Sequence, residues 1–305
     1  VDVASADAAE WDRLDEILLA QGVTAWCPTL VSARLPALDA ALARVAAAQD
    51  RSSPRRPHVI GVHLEGPFLG GAPGAHRREV LTDPDLDWLG ALPDLVRLVT
   101  LAPERSGALD AIALLVRKGV VVSLGHSTAT YEQATAAIAA GAQLVTHLFN
   151  GMAPLHHREP ALPGAAMSDP RVCASLIADG VHLHPAVLCA AMAALGRRAV
   201  LVTDAVGWKA RQHAGFPVEL SGDPPAPRLP DGTLAGSALK MPDAIATCVR
   251  AGVPLLEAVA AATETPARLM GLDGRGSIVA GKHADLVALT PEFGVEQVWL
   301  AGEEA

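Results

Sequence analysis

Three residues able to bind a metal ion stand near the ends of successive apolar runs in this chain. Glu65 lies in VIGVHLEGPF, His126 in VVVSLGHS and His147 in LVTHLFN, and a further run, AVLVTDAV, carries Asp204 near its end. A parallel barrel delivers its ligands from the C-terminal ends of such β-branched strands. One carboxylate and two imidazoles suit an open zinc-type site, and a separate carboxylate can act as a base. The pattern therefore predicts hydrolysis at a divalent metal.

Each of these residues also has an ordinary structural interpretation. A Glu at a strand end can be a solvated rim residue, a lone His is more often hydrogen-bonded within a core, and an Asp can cap the next loop. The metal interpretation is favoured because two histidines lie at consecutive strand ends, and because Gly66-Pro67 follows Glu65 directly. His63 shares a strand face with Glu65, so we expect it to orient a ligand and not to bind the metal.

Other polar residues, in the loops after these runs, are candidates for substrate binding. His76 lies in the glycine-rich loop GGAPGAHRRE, His182 ends VCASLIADGVH, and Arg158 lies in HHREP. The planar guanidinium of Arg158 suits phosphate or carboxylate, and the backbone N–H groups of Asn150 and Gly151 could join it in holding an anion. Each could equally be a solvated loop residue.

The elements that must position these residues alternate along the chain. The apolar runs span 23–31, 59–69, 95–103, 120–127, 144–150, 172–182 and 199–206. Segments of helical pattern include 3–22, 35–50, 109–119 and 131–141. This alternation indicates βαβ units and a parallel sheet, so the predicted fold class is an α/β (β/α)8 TIM barrel. Because only seven runs are visible, we expect the first strand of the barrel to lie upstream of Val1.

The pattern changes after Asp204. Residues 207–238 are rich in glycine and proline, and two helical segments follow at 241–252 and 254–271. The tail predicts short antiparallel strands that cannot bury their own apolar face. We therefore expect a barrel over residues 1–270, and the C-terminal strands of a small, incomplete β-sandwich domain over residues 271–305.

Composition narrows the possible partners. Half of the 305 residues are hydrophobic, which argues against disorder, and a net charge of −9 disfavours nucleic acid and anionic membranes. No apolar stretch approaches the roughly 18 residues of a membrane span. The four cysteines are scattered without a CxxC pair, as is typical of thiols in a reducing cytoplasm. We predict a cytoplasmic protein with neither nucleic-acid nor membrane partners.

Eight short motifs now point to a family. HLEGPF, GAH, LGHS, THLFNGM, REP, ADGVH, VTDA and DGTLAGS occur in this order. From about Val23 to the C-terminus, the sequence resembles the N-acetylglucosamine-6-phosphate deacetylase family of the amidohydrolase superfamily. The resemblance implies an amidohydrolase-type barrel with a small β-sandwich built from both chain ends, a homodimer, and a sugar phosphate as substrate.

The resemblance also implies a role for the residues at the strand ends. Glu65, His126 and His147 would hold one divalent metal, Zn²⁺ above all. Asp204 would act as the acid/base, and His76 would polarise the acetyl carbonyl. The usual HxH pair of a first amidohydrolase strand is missing, so a second metal site is not expected.

The remaining motif residues would contact the substrate. By resemblance, His182 would contact the sugar or its phosphate. The backbone around Asn150 and Gly151 and the side chain of Arg158 would bind the 6-phosphate. The Leu234-Ala235-Gly236 turn would border the acetamido group.

Three functional hypotheses remain. The favoured one is hydrolysis of the N-acetyl group of N-acetylglucosamine 6-phosphate in amino-sugar catabolism or cell-wall recycling. The second is another amidohydrolase activity, on a different N-acyl amino sugar phosphate such as the galactosamine analogue or on a small amide. The third, a non-catalytic truncated homologue, would need a broken ligand set. Glu65, His126, His147 and Asp204 are all present.

Overall fold

Helices and strands alternate in the computed structural model, which describes residues 1–50, 56–207, 212–213 and 216–305. The helices are α1 (Ala8–Ala20), α2 (Leu35–Gln49), α3 (Leu86–Ala91), α4 (Ala108–Arg117), α5 (Tyr131–Ala139), α6 (Ala161–Ser168), α7 (Pro185–Leu195), α8 (Met241–Arg250), α9 (Leu255–Ala262) and α10 (Glu264–Leu269). The strands are β1 (Ala25–Trp26), β2 (Thr29–Val31), β3 (His58–Val59), β4 (Val62–Glu65), β5 (Val96–Leu101), β6 (Val121–Leu124), β7 (Leu144–Val145), β8 (Cys173–Ile177), β9 (Ala199–Val202), β10 (Gln212–His213), β11 (Phe216–Pro217), β12 (Glu219–Ser221), β13 (Ala226–Arg228), β14 (Leu286–Leu289), β15 (Val295–Leu300) and β16 (Glu303–Glu304). The predicted alternation is confirmed.

The chain divides into two compact units, and one of them, residues 28–42 and 61–176, holds a parallel sheet. Its strand order is β2-β4-β5-β6-β7-β8. All four residues of β4 and of β6 are buried, as expected for parallel strands covered on both faces. The helices that alternate with these strands present apolar faces. On α4, for example, Ala111, Ile112 and Leu115 are fully buried.

The register of this sheet aligns the ends of its strands. Glu65 pairs with Thr100 of β5, and Leu124 of β6 pairs with Val145 of β7. His126 and His147 each follow the paired residue by two positions, so they occupy equivalent places just beyond their strands. The C-terminal ends of β4, β6 and β7 therefore carry the predicted ligands at one edge.

The other unit comprises residues 1–27, 43–60 and 177–305. It contains α1, strand β9 with helices α8 to α10, and a three-stranded antiparallel sheet in the order β14-β15-β16. Gly22, just after α1, packs against the side chains of Val287 and Val295 in that sheet. The predicted antiparallel strands of the tail are confirmed, whereas the predicted domain boundary between 270 and 271 stays a prediction.

Several strands are shorter than the apolar runs that predicted them. The run 144–150 contains only β7, because His147 and Phe149 have φ angles of 32° and 75°, which lie outside the β region. Within the predicted Gly/Pro-rich segment, residues 208–211 and 214–215 lie outside the described part of the chain. Among the described residues, no helix has the length and apolarity to cross a lipid bilayer.

Candidate metal centre

Three ligand atoms converge at the C-terminal edge of the parallel sheet. The Nε2 atoms of His126 and His147 lie 3.1 and 3.2 Å from the same oxygen, Oε1 of Glu65, and 3.0 Å from each other. The three side chains are only 7–8% exposed. The structure thus brings together the three residues that were predicted as metal ligands.

The second nitrogen of each imidazole already has a partner. Nδ1 of His126 is 3.2 Å from the carbonyl oxygen of Ala72, and Nδ1 of His147 is 3.1 Å from that of Asn150. Because a carbonyl can only accept, each Nδ1 carries a proton, and a neutral imidazole then presents only a lone pair at Nε2. Three acceptor atoms so close together repel one another unless positive charge lies among them. This donor set, with two oriented imidazoles and one carboxylate, fits a divalent cation of the zinc type.

Glu65 is ionised in this setting. Burial by itself raises the pKa of the Glu65 carboxyl, but hydrogen bonds with His126 and His147, together with the charge interactions of His126 and His76, hold that pKa well below its usual range. The site therefore offers a carboxylate to a metal ion.

His76 is a fourth group at this centre. Its Nε2 lies 3.8 Å from Oε2 of Glu65, and its ring meets that of His126 edge-on at a centroid distance of 4.4 Å. Ligand atoms of Glu65, His76 and His126 lie within 4.8 Å of one another, so geometry alone would allow His76 to serve as a ligand. His147 fits better, because its Nε2 is closer to the Glu65 carboxylate and its Nδ1 is held by a carbonyl. The role of His76 in polarising a carbonyl stays a prediction.

An unusual backbone conformation marks three of the predicted residues. His126, His147 and Asp204 have φ angles of 48°, 32° and 49°. A left-handed conformation at a residue other than glycine costs roughly 1–3 kcal/mol and persists where the surroundings enforce it, often at functional sites. The apolar runs themselves gave no sign of this feature.

His63 lies in a buried row of hydrogen-bonded side chains, and the other members of the row bond through hydroxyl groups. Its Nδ1 is 3.0 Å from Oγ1 of Thr29, and its Nε2 is 2.8 Å from Oγ1 of Thr100. The row continues from Thr100 to Thr146 at 2.8 Å and from Thr146 to Ser123 at 2.5 Å. The ring nitrogens of His63 thus bond threonine hydroxyls, and the expectation that His63 directly orients a metal ligand is not met.

The burial of His63 predicts a loss of stability at acidic pH. Burial, reinforced by His147 and His126 and opposed by Glu65, lowers the pKa of His63 from 6.5 to about 4. Between these values the unfolded chain binds the proton more readily than the folded one. Above pH 6.5 His63 is neutral in both states, so its burial costs no protonation energy. As pH drops from 6.5 to 4, the free energy of unfolding falls by about 3 kcal/mol because the unfolded state takes up the proton.

Urea unfolding across this pH window measures the effect. The comparison is His63→Gln, which keeps a donor and an acceptor for the two threonines but does not titrate. The wild-type free energy of unfolding should fall more steeply with acid than that of the variant. Identical slopes would show that His63 is not the group responsible.

The turn after His147 is packed against the ligands. The Asn150 N–H donates to the His147 carbonyl at 2.9 Å, and Nδ2 of Asn150 donates to the same carbonyl at 3.2 Å. Gly151 has a φ of 59°, and a Cβ there would lie 2.8 Å from Nδ1 of His126, so no side chain fits. Phosphate binding by Asn150 and Gly151 stays a prediction. It would require the Asn150 N–H to bond the phosphate as well as the His147 carbonyl.

Arg158 lies in the exposed loop after β7. Its Nη1 is 2.8 Å from Nε2 of His157, and its backbone N–H donates to Nδ1 of His156 at 3.3 Å. All three side chains are exposed, so the guanidinium is accessible to an anion from solvent. Its predicted phosphate contact is compatible with this position and stays a prediction.

In the other unit, His182 is held by an aspartate that the sequence analysis missed. Nδ1 of His182 lies 2.7 Å from Oδ2 of Asp179, and the N–H groups of Val181 and His182 donate to Oδ1 at 2.8 Å each. Burial raises the pKa of Asp179, but the bonds and charge from His182 outweigh it, so that pKa is lowered. The carboxylate therefore fixes the orientation of the ring through Nδ1, and the predicted contact of His182 with the substrate stays a prediction. The sequence contains one sign of this Asp–His pair, because in ADGVH an aspartate stands three residues before the histidine.

The same unit brings the LAGS turn to Asp204. The Asp204 carbonyl accepts the N–H of Ser237 at 2.8 Å, and the Val206 N–H donates to the Ser237 carbonyl at 3.0 Å. Gly236 has a φ of 66°, and a Cβ there would lie 2.8 Å from the Asp204 carbonyl oxygen. Leu234 and Ala235 precede this contact. Two motifs far apart in the sequence are therefore joined backbone to backbone.

Comparison with known proteins identifies relatives of this chain. The profile of the amidohydrolase family matches residues 18–305. A relative from Escherichia coli O157:H7, named N-acetylgalactosamine-6-phosphate deacetylase, is 40% identical over 96% of this chain and 81% of its own length. A relative from Vibrio furnissii, named N-acetylglucosamine-6-phosphate deacetylase, is 35% identical over 99% of this chain and 78% of its own length.

A solved structure shares the fold over nearly the whole chain. It is an aspartate-to-alanine mutant of N-acetyl-D-glucosamine-6-phosphate deacetylase from Mycobacterium smegmatis, in complex with N-acetyl-D-glucosamine 6-phosphate. Its TM-score is 0.92 at 35% identity, and the match covers 99% of this chain and 82% of that chain. The α/β fold of TIM-barrel type that was predicted from the sequence is confirmed.

Proposed function

This chain belongs to the amidohydrolase family, and we propose that it removes the N-acetyl group of N-acetyl-D-glucosamine 6-phosphate, giving glucosamine 6-phosphate and acetate. The observation that carries this proposal is the convergence of one carboxylate oxygen and two imidazole nitrogens within 3.2 Å at a buried strand edge. The Vibrio furnissii relative and the Mycobacterium smegmatis complex support the choice of substrate.

A second candidate substrate is N-acetylgalactosamine 6-phosphate. The relative from Escherichia coli O157:H7 bears that name and is 40% identical to this chain, against 35% for the Vibrio furnissii relative. The two sugars are C4 epimers, so the same amide and the same phosphate would reach the same groups. The reaction at the metal centre would be unchanged.

The reaction requires a Lewis acid, a base and a donor to the developing oxyanion. A divalent cation, which we propose to be Zn²⁺ held by Glu65, His126 and His147, would polarise the amide carbonyl and lower the pKa of the attacking water. Asp204 would accept the proton of that water and return it to the amine nitrogen as the C–N bond breaks. His76 would donate to the carbonyl oxygen as negative charge develops there.

The predicted substrate contacts complete the proposal. Arg158 and the backbone at Asn150 and Gly151 would bind the 6-phosphate. His182, with its ring held by a carboxylate, would contact the sugar, and the Leu234-Ala235-Gly236 turn would border the acetamido group. We also propose a cytoplasmic homodimer whose residues 271–305 form part of a small β-domain. The scattered cysteines, which form no CxxC pair in the sequence, support the choice of a reducing compartment.

Acetate release tests the proposed function. Zinc-loaded protein would be given N-acetylglucosamine 6-phosphate, its galactosamine epimer and unphosphorylated N-acetylglucosamine, with chelator-treated protein as the control. We expect zinc-dependent turnover of the phosphorylated glucosamine substrate. Turnover confined to the galactosamine epimer would select the second candidate. No release from either phosphate by zinc-bound protein would overturn the deacetylase proposal.

Replacement of Arg158 by alanine should weaken binding of the phosphorylated sugar. A charge-assisted hydrogen bond contributes roughly 1.5–3 kcal/mol, so KM should rise by roughly tenfold or more while kcat changes little. Steady-state kinetics on the phosphorylated and unphosphorylated sugars measure this. The matched control is Arg171→Ala, which removes an exposed guanidinium bound to Asp169. A loss of equal size on both sugars would refute the phosphate contact.

A further inference from the structure

Strand β5 lies between β4 and β6 in the sheet and supplies none of the three ligands, yet Glu104 follows it. Oε1 of Glu104 accepts the N–H of Gly71 at 3.1 Å and the N–H of Thr128 at 2.7 Å. Oε2 accepts the hydroxyl of Ser127 at 2.6 Å. One half-buried carboxylate therefore joins the loop after β4 to the loop after β6.

The partners of Glu104 adjoin the groups that orient His126. Gly71 immediately precedes Ala72, whose carbonyl oxygen lies 3.2 Å from Nδ1 of His126. Ser127 immediately follows His126 in the chain. A shift of either loop would therefore move the imidazole or remove the carbonyl that sets its tautomer.

Through Ser127 the same network reaches the third ligand loop. The Ser127 N–H donates to the Gly151 carbonyl at 2.9 Å, and the Ala153 N–H donates to the Ser127 carbonyl at 3.1 Å. The Ser127 hydroxyl, which donates to Glu104, also accepts the Ala129 N–H at 3.0 Å. The loop that follows His147 is thus tied to the same serine.

The loop after β4 also approaches the Glu104 carboxylate closely at Gly70. A Cβ at Gly70 would overlap this carboxylate and would lie 2.9 Å from the Cβ of Ala102, so glycine at this position favours the close approach. The neighbouring residues fasten the same loop, because the Ala102 N–H donates to the Phe68 carbonyl at 2.9 Å and Nε of Arg105 donates to the Leu69 carbonyl at 2.6 Å. The segment after β5 therefore acts as a support for the ligand loops.

We propose that Glu104 is a positioning residue of the metal centre, which holds the loops after β4, β6 and β7 in the arrangement that brings Glu65, His126 and His147 together. It binds neither metal nor substrate. This inference rests on the proposed metal site, and it adds to that site a residue which acts only through the ligands.

Cobalt binding tests the proposal by a readout separate from activity. Wild-type protein freed of metal should bind about one equivalent of Co²⁺ with a visible absorption spectrum. Glu104→Ala deletes the bonds that Gly71, Thr128 and Ser127 donate to the carboxylate, and it should raise the dissociation constant for Co²⁺ roughly 10- to 100-fold and alter the spectrum. Glu104→Gln keeps one acceptor oxygen for the Gly71 and Thr128 N–H groups, so the dissociation constant should rise less. The control is Glu10→Ala, since the Glu10 carboxylate accepts the Asp7 N–H at the start of α1, in the other unit.

The outcomes separate this proposal from the proposed function. Wild-type affinity and spectrum in a folded Glu104→Ala protein would overturn the positioning role and leave the metal site standing. Absence of Co²⁺ binding in the wild type would overturn both. If Glu104→Ala does not fold, Glu104→Gln decides by the same two measurements, and an unchanged dissociation constant and spectrum would reject the proposal.

Discussion

Replacement of Asp204 by asparagine should lower kcat for N-acetylglucosamine 6-phosphate by roughly 10²- to 10⁴-fold while zinc stays bound. A carboxamide keeps the shape of the side chain, but it can neither take a proton from water nor return one to the leaving amine. Asparagine also tolerates the left-handed backbone that Asp204 adopts, with a φ of 49°. The bond from the Ser237 N–H to the carbonyl at position 204 should therefore persist, and the loss should be chemical.

Kinetics and metal content, measured on the same preparation, test this prediction. The control variant is Asp231→Asn, which alters an exposed aspartate whose side chain accepts the Thr233 N–H at 2.9 Å. Near-normal turnover by Asp204→Asn would remove Asp204 from proton transfer. Zinc lost together with turnover would assign Asp204 to metal binding.

Replacement of His147 by alanine should lower zinc affinity by more than about 10²-fold and bring turnover to background, because a proposed ligand and not only a supporting group is removed. The variant would lose the Nε2 atom 3.2 Å from Glu65, together with the bond from Nδ1 to the Asn150 carbonyl. Chelation of the wild type should have the same effect. Added zinc should restore the chelated wild type but not the variant.

Two further histidine variants make the experiment specific. His184→Ala, which removes a histidine at the start of α7, controls for the loss of an imidazole and should retain zinc and turnover. His76→Ala should retain zinc and lose turnover, because its Nε2 is 3.8 Å from the Glu65 carboxylate and the role proposed for it is to polarise the carbonyl. Zinc lost from His76→Ala but kept by His147→Ala would exchange the roles of the two residues.

The three proposed ligands could be found from the sequence because each is placed by a local rule. Hydrophobic strands of a parallel sheet end at a common edge, so a polar residue just beyond each run must lie near the others. Glu65, His126 and His147 obey this rule, and the structure brings them within 3.2 Å. Identification of the family by its motifs followed from the same residues.

The groups that support these ligands could not be found in the same way. The carbonyls of Ala72 and Asn150 fix the imidazole tautomers, but any residue has a carbonyl, so no side-chain pattern marks them. Glu104 is ordinary in sequence, and its function depends on three loops that meet only after the sheet has formed. The short β7 strand could not be predicted either, since the positive φ angle of His147, which takes the chain out of the β region, is not marked by any residue type in the run.

The sequence by itself determined the chemistry available to this protein: the order of strands and helices, the residue types at the strand ends, and hence a carboxylate and two imidazoles at one edge. Only the tertiary structure decided how those groups are held: which nitrogen of each imidazole faces Glu65, how close His76 comes to the Glu65 carboxylate, and that Glu104 joins the ligand loops. The physical reason is the range of the interactions. Strand period and burial act on neighbours in the chain, whereas hydrogen bonds between loops form only when the register of the sheet has brought distant segments together.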